Sequence, residues 1–398
     1  ALIKEHGIKF KSETDSEVIA QLVGVKYNSN GGDLEKAVYD ATKEMRGTYA
    51  IGVIAEDTPN KIVAYRKEAP LIAGIGRKSN FIASDIPALL KYTNDIFLIE
   101  NDEMVVCTPD SITIKDKDGK EVKREAMKIT WSVEDAEKGG YEHFMLKEIN
   151  EQPKVVAETL NRRIDEDGKI KLDGINLTKE ELDKYNKIYI VACGTAYHAG
   201  LVGKYVIEKM AGIAVEVDVA SEFRYRDPFI DENTLFIAIS QSGETLDTLM
   251  SLRLAKEKGA RVLSVVNVVG SSIARESDDV FYTWAGPEIA VASTKAYTTQ
   301  LVCMYLIALY LGDIRGTLTE EYREFILGEL QQIPEKIQEI LEESPYIEKL
   351  AKRLYNKTQV FFIGRGLDSA VAYEGSLKLK EISYINSFSL SINSFKLL

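Results

Sequence analysis

Leu235-Phe-Ile-Ala-Ile239 runs straight into Ser240-Gln-Ser-Gly-Glu-Thr245, a wholly apolar stretch that stops on small polar residues before a helical pattern over residues 244–258. A strand this uniformly apolar must be covered on both faces, as in parallel sheets. The same unit recurs on either side. Upstream, Ile188-Tyr-Ile-Val-Ala192 leads into Cys193-Gly194 and a helix over 195–210; downstream come Val262-Leu-Ser-Val-Val266, Val280-Phe-Tyr-Thr283 and a helix beginning near Thr294. Buried strands alternating with helices of about 15 residues predict a doubly wound α/β domain with helices on both faces.

The strand-to-helix junction also carries the sharpest chemistry. It presents unpaired backbone N–H groups and the positive end of a helix dipole beyond the carboxyl edge of the sheet. The hydroxyls of Ser240, Ser242 and Thr245 and the amide of Gln241 add neutral donors, while Gly243 lets the backbone approach a ligand. One serine there reads as a simple helix cap; four donors in six residues predict an anion site suited to a phosphate ester held without a metal. Cys193-Gly194-Thr195 and Val291-Ala-Ser-Thr-Lys295 open two further helices, so three helix starts converge on one crevice. At such a place Cys193 is either a thiol activated by the helix or a buried structural cysteine.

An internal repeat extends the pattern. Ile188-Tyr-Ile-Val-Ala-Cys-Gly194 aligns with Val360-Phe-Phe-Ile-Gly-Arg-Gly366, with Gly203 opposite Gly375, so a second α/β domain begins near residue 346. Its charged helix passes into the alternating tail Ser387-Phe-Ser-Leu-Ser-Ile-Asn-Ser-Phe-Lys-Leu-Leu398, which reads as an edge strand or as an interrupted, out-of-frame end. The chain opens in a helical pattern at Leu2, Ile3 and Ile8 without an initiator Met, and both ends are expected to be cut.

The first part of the chain differs. Two amphipathic helices, over 16–25 and 33–45, precede short β-branched runs such as Tyr49-Ala-Ile-Gly-Val-Ile-Ala55 and Met104-Val-Val-Cys107, with a hairpin turn at Asp116-Lys-Asp-Gly119. That order predicts an α+β domain with antiparallel sheet. The expected organisation is 1–130 for this domain, 131–185 for a linker with the joint Gly139-Gly140 and a lead-in helix over 141–163, 186–345 for the first α/β domain and 346–398 for the start of the second.

A formal charge of −12 argues against nucleic acid and anionic membrane as partners. Three scattered cysteines, Cys107, Cys193 and Cys303, form neither a disulfide framework nor a zinc site. The longest apolar stretch, 301–311, is shorter than a membrane span and reads as a buried helix. A cytoplasmic location follows from these features.

Ser240-Gln-Ser-Gly-Glu-Thr245, with Ala220-Ser-Glu-Phe-Arg-Tyr-Arg226, Gly270-Ser-Ser-Ile-Ala-Arg-Glu-Ser277, Val291-Ala-Ser-Thr-Lys-Ala296 and Glu374-Gly-Ser-Leu-Lys-Leu-Lys-Glu-Ile-Ser-Tyr-Ile385, resembles the glutamine:fructose-6-phosphate amidotransferase family and its SIS (sugar isomerase) domains. The likeness covers nearly all of residues 1–385. It implies a partial N-terminal-nucleophile glutaminase domain, a complete SIS domain and the start of a second one, no metal or other cofactor, and a homodimer at full length. Fructose 6-phosphate, glucosamine 6-phosphate and glutamine are the implied partners.

By the same resemblance Ser240, Gln241, Ser242 and Thr245 bind phosphate, Thr195 contacts the sugar, and Val291 and Ser293 contact the amino sugar. The position after Thr195, usually Ser in that family, is Ala196 here. Lys378 matches a lysine of Schiff-base or ring-opening chemistry and Glu381 the carboxylate that moves a proton between C1 and C2; spacing alone also fits a surface ion pair. Asp15, in Ser12-Glu-Thr-Asp-Ser-Glu17, matches an aspartate that binds the α-amino group of glutamine. The family's nucleophilic Cys and oxyanion Asn and Gly correspond to positions before Ala1, and its ring-opening His and a further catalytic Lys to positions beyond residue 385.

Two other readings stand beside the amidotransferase: a sugar-phosphate-binding regulatory module without turnover, and a phosphosugar isomerase unconnected to glutamine. Asp15 in its setting favours the first. On that reading the polypeptide 1–398 binds sugar phosphate but is inactive alone, and the helix carrying Lys378 and Glu381 is expected to be poorly held in register.

Overall fold

The computed structural model describes residues 6–132, 134–164 and 170–392, so the helical start read at Leu2 and Ile3 and residues 393–398 of the tail lie outside the described residues. The chain divides into two compact units, Ala1–Ala136 and Glu137–Leu398.

In the first unit, alternation along the strands builds two layers of core. Val63 and Tyr65 of strand Ile62–Lys67 face the helices Asp15–Ser29 and Leu34–Thr42, where Val23, Leu34, Val38 and Met104 join them. Ala64, between them in sequence, faces the opposite way into a cluster with Leu71, Ala73, Ile99 and Val105. A five-stranded and a four-stranded sheet result, and every pairing in both is antiparallel. The first helix runs further than its amphipathic pattern, to Ser29, and the second is shorter, starting only after Asp33, whose side chain caps it through Lys36 N–H.

The second unit opens with helix Phe144–Asn161, which starts later than expected because His143 is extended. Its sheet has five parallel strands in the order Ala214–Val219, Lys187–Ala192, Thr234–Ser240, Arg261–Val266, Asp279–Tyr282. The strand order reverses between Lys187–Ala192 and Thr234–Ser240, which places a crevice at their carboxyl ends. Ala214–Val219 was not legible as a strand: it lies at the sheet edge, and Glu216 and Asp218 interrupt its apolar run.

Both sheet faces are covered by apolar side chains. Ile188, Ile190, Leu235, Ile237 and Leu263 pack on one side under helices Gly194–Ala211 and Lys295–Arg315, while Tyr189, Val191, Phe236 and Val262 pack on the other under Leu246–Glu257. Helix Lys295–Arg315 is long and apolar enough to cross a membrane, longer than the apolar run read from sequence, but 67% of its most apolar window is buried inside the unit. It has the character of a core helix.

The repeat is physical. A Cβ on Gly203 would meet Ile190 Cδ1 at 3.1 Å and Met304 Sδ at 2.7 Å, and one on Gly375 would meet Phe362 Cε1 at 2.7 Å. Ile190 and Phe362 occupy the same repeat position, so each glycine lets its helix sit down on the equivalent strand residue. Strand Gln359–Gly364, helix Leu367–Ser383 and strand Asn386–Ser391 form a parallel β-α-β unit, with Gln359 opposite Asn386 and Gly364 opposite Ser391. Asn386–Ser391 is therefore paired, but its alternation is inverted. Ser387 is buried and neither its hydroxyl nor that of Ser389 has a partner among the described residues, while Phe388 stacks on Phe361 at 5.6 Å with both rings partly exposed.

Candidate functional site

The loop after the central strand is shaped by its own small side chains. Ser240 Oγ accepts a hydrogen bond from Gly243 N–H at 3.0 Å and lies 3.0 Å from Thr245 Oγ1, and Ser242 Oγ accepts from Glu244 N–H at 3.2 Å. Gly243 sits at φ +65°, and a Cβ there would fall 2.0 Å from Ser271 Oγ. No other residue fits without moving the neighbouring loop. Glu244, the one charge in the loop, is held by Ser272, whose N–H and hydroxyl donate to its two carboxylate oxygens at 2.7 and 2.8 Å. Both bonds keep that carboxylate engaged with the next helix.

Beyond the loop is a cavity of about 160 Å³. Ser240, Gln241, Ser242 and Thr245 line it from the central strand, Cys193, Thr195 and Ala196 from the preceding one, and Ser293 and Gln300 from the region of the third helix start. The three helix starts converge as the sequence pattern predicts. Val291 does not join them: its side chain is fully exposed. Ser293 Oγ donates to Glu288 Oε2 at 2.7 Å, and Glu288 Oε1 accepts from the N–H groups of Thr294 and Ala296. Behind this loop, Glu148 Oε1 accepts from Ile289 and Ala290 N–H at 2.7 and 3.1 Å, and burial pushes the Glu148 carboxyl above the ordinary range.

Cys193 lines the cavity, but burial pushes its thiol up, away from the thiolate form, and its sulfur is 4.0 Å from Thr248 Oγ1. That supports the structural reading over the nucleophilic one.

Helix Leu367–Ser383 brings a charged cluster to the edge of this site. Lys378 Nζ lies 2.6 Å from Glu381 Oε2 and donates to Thr195 Oγ1 at 2.9 Å. Thr195 in turn donates to Glu374 Oε1 at 2.9 Å, and the other Glu374 oxygen is 2.7 Å from His198 Nδ1. The helix is thus anchored to Gly194–Ala211, contrary to the expectation of poor register. A buried carboxylate with three polar neighbours supplies the anchor. Sequence reasoning missed Glu374, although Glu374, Lys378 and Glu381 stand at i, i+4 and i+7 on one face. It also missed Gln300, which gave no signal inside an apolar helix. Asp15 belongs to the first unit, where it is exposed at the first turn of its helix.

The second unit is thus a doubly wound α/β domain with a polar cavity at its switch point, and residues 181–310 match the SIS domain model. The solved C-terminal domain of glucosamine-fructose-6-phosphate aminotransferase from Francisella tularensis is 44% identical, with a TM-score of 0.62 over 65% of this chain and 73% of that one. A phosphosugar isomerase structure from Clostridium difficile shares the fold at 22% identity and a TM-score of 0.54. The glutamine–fructose-6-phosphate aminotransferase of Clostridium tetani is 57% identical over 394 residues, covering 99% of this chain. The chain belongs to the glutamine–fructose-6-phosphate aminotransferase family. It spans about 64% of the length of that relative.

Proposed function

We propose that the Glu137–Leu398 unit binds fructose 6-phosphate and glucosamine 6-phosphate in the cavity beyond Ser240-Gln-Ser-Gly-Glu-Thr245, as part of an enzyme that transfers the amide nitrogen of glutamine to fructose 6-phosphate. The observation that carries this reading is the convergence of side-chain hydroxyls and an amide from three helix starts on one cavity. Ser240, Gln241, Ser242 and Thr245 hold the phosphoryl group, and Thr195 and Ser293 face the sugar. Val291, with its side chain in solvent, contributes through its backbone.

Lys378 and Glu381 take the chemistry. A carboxylate within 2.6 Å of an ammonium is positioned to exchange a proton with a neighbouring carbon acid while the amine supports imine formation or ring opening. The first unit is the glutaminase-type domain, with Asp15 on the α-amino group of glutamine. The assembled enzyme is a cytoplasmic homodimer without a metal or other cofactor.

Calorimetric titration of the polypeptide 1–398 with fructose 6-phosphate tests the site. Saturable binding that a Ser242→Ala, Thr245→Ala double variant loses supports it, since each lost bond to a charged group costs about 1.5–3 kcal/mol; unchanged affinity in that variant refutes it. Turnover is a separate matter. Cys107 and Cys303 are buried and Cys193 is held as a thiol, so 1–398 is expected to release no glutamate from glutamine above a no-enzyme control. Glutamate release by protein shown by mass spectrometry to be free of longer forms overturns that expectation.

A further inference from the structure

Gln300 is 1% exposed and lines the cavity, and its carbonyl oxygen is buried without a hydrogen-bond partner among the described residues. Two other polar atoms on the same stretch of helix share that condition, Thr294 Oγ1 and Tyr297 Oη, at i, i+3 and i+6. A buried acceptor left unpaired costs about 1–3 kcal/mol, and native interiors hold few of them. Three on one helical face, the last on a residue that lines a polar cavity, mark a surface built to be completed by something bound.

We propose that Gln300 is a specificity-determining residue that accepts a hydrogen bond from a hydroxyl of the sugar. The inference rests on the sugar-phosphate reading of the cavity and deepens it. The chemistry selects the sugar end of the ligand. A phosphoryl dianion carries no proton to donate, so it satisfies the hydroxyls of Ser242 and Thr245 but leaves an amide oxygen unpaired. A polyol phosphate offers both kinds of group. An acceptor set among donors therefore separates sugar phosphates from simple phosphate monoesters, and a site left with an unpaired acceptor discriminates against the ligand lacking the hydroxyl.

The test titrates 1–398 and its Gln300→Leu variant with fructose 6-phosphate and with ethyl phosphate, which has the same charge and no hydroxyl. Fructose 6-phosphate affinity is expected to fall about tenfold or more, the value of one good hydrogen bond, while ethyl phosphate affinity stays within about twofold. The variant's melting temperature is expected to be no lower, because an unpaired buried polar group has been removed. Equal fructose 6-phosphate affinity in the two proteins overturns the proposal, as it would if the amide held only a structural water. Equal loss of both ligands also overturns it, because the amide then serves the phosphoryl group or the packing. If Gln300→Leu fails to fold, Gln300→Met decides by the same two ligands. Wild-type protein that binds neither ligand removes the sugar-phosphate reading itself, a result separate from the variant comparison.

Discussion

Lys378 Nζ donates to Thr195 Oγ1 at 2.9 Å, joining the helix that carries the candidate chemistry to the helix that starts at the cavity, although 183 residues separate them. Thr195 is a relay: it accepts from Lys378 and donates to Glu374. A hydroxyl can do both at once, and few side chains of that size can. Thr195→Val is expected to keep the shape and lose both bonds. Stability should drop by about 1–3 kcal/mol and fructose 6-phosphate affinity should fall, whereas Thr195→Ser should retain most of each. Chemical denaturation and calorimetry on the same preparations check the pair of outcomes.

Glu374 is the centre of that network, with side-chain exposure of 5% against 16% for Lys378. Removing Glu374 takes the shared acceptor from Thr195 and His198 and leaves Lys378 paired with Glu381 alone, so Glu374→Leu should destabilise by about 1–3 kcal/mol. Glu374→Leu combined with Lys378→Met should cost less than the sum of the two singles, because the contact between the two side chains can be lost only once. Urea denaturation of the four proteins in this cycle gives the coupling directly. Strict additivity would show that the 3.4 Å approach of Lys378 to Glu374 contributes nothing.

The doubly wound sheet was legible because its central strands are apolar without interruption and end on small polar residues, a pattern compatible with few other structures. Ala214–Val219 escaped for the opposite reason: an edge strand can carry Glu216 into solvent and Asp218 against Arg226, so the apolar run that betrays a strand is broken there. The cavity loop could be read because its donors are contiguous. The Thr195–Glu374–His198 network could not, since its members are joined only when two helices far apart in the chain pack together. Gln300 lay hidden among Leu, Val and Cys, where its importance depends on which face of the helix meets the cavity. For Val291 the residue-by-residue likeness gave a position but not a direction, and the side chain points to solvent.

Gly243 tests the loop with a single methyl group. Its φ of +65° is strained for any residue with a Cβ, and that Cβ would land 2.0 Å from Ser271 Oγ and 2.5 Å from Ser271 Cβ. Gly243→Ala should therefore displace either the loop or the Ser271 turn, at about 1–3 kcal/mol for the backbone conformation before the clash is counted. Because Ser240 Oγ is oriented by Gly243 N–H, the donors lining the cavity should lose their arrangement. Sugar-phosphate affinity is expected to disappear in protein that still shows native circular dichroism at low temperature. Retention of wild-type affinity would mean that the loop tolerates a different path.

Glu148 makes the stability of the second unit depend on pH. Its carboxyl is raised first by burial and then by the charge of Glu288, against the opposing pull of the Ile289 and Ala290 N–H groups and Lys295. One oxygen accepts both backbone bonds while the other is buried without a hydrogen-bond partner among the described residues, so an ionised carboxylate there leaves one oxygen unsolvated. A group whose folded-state value lies above its unfolded value of about 4.3 contributes fully below that pH, and the contribution is lost as pH rises through the folded value. Glu148→Gln keeps an acceptor for the two N–H groups and cannot ionise. The variant should therefore melt close to wild type at pH 4 and above wild type at pH 7 to 8, with the gap opening as pH rises. Melting curves of both proteins across that range check the sign. A gap that closes or reverses with rising pH would show that the ionised carboxylate is the form holding the 289–290 backbone in place.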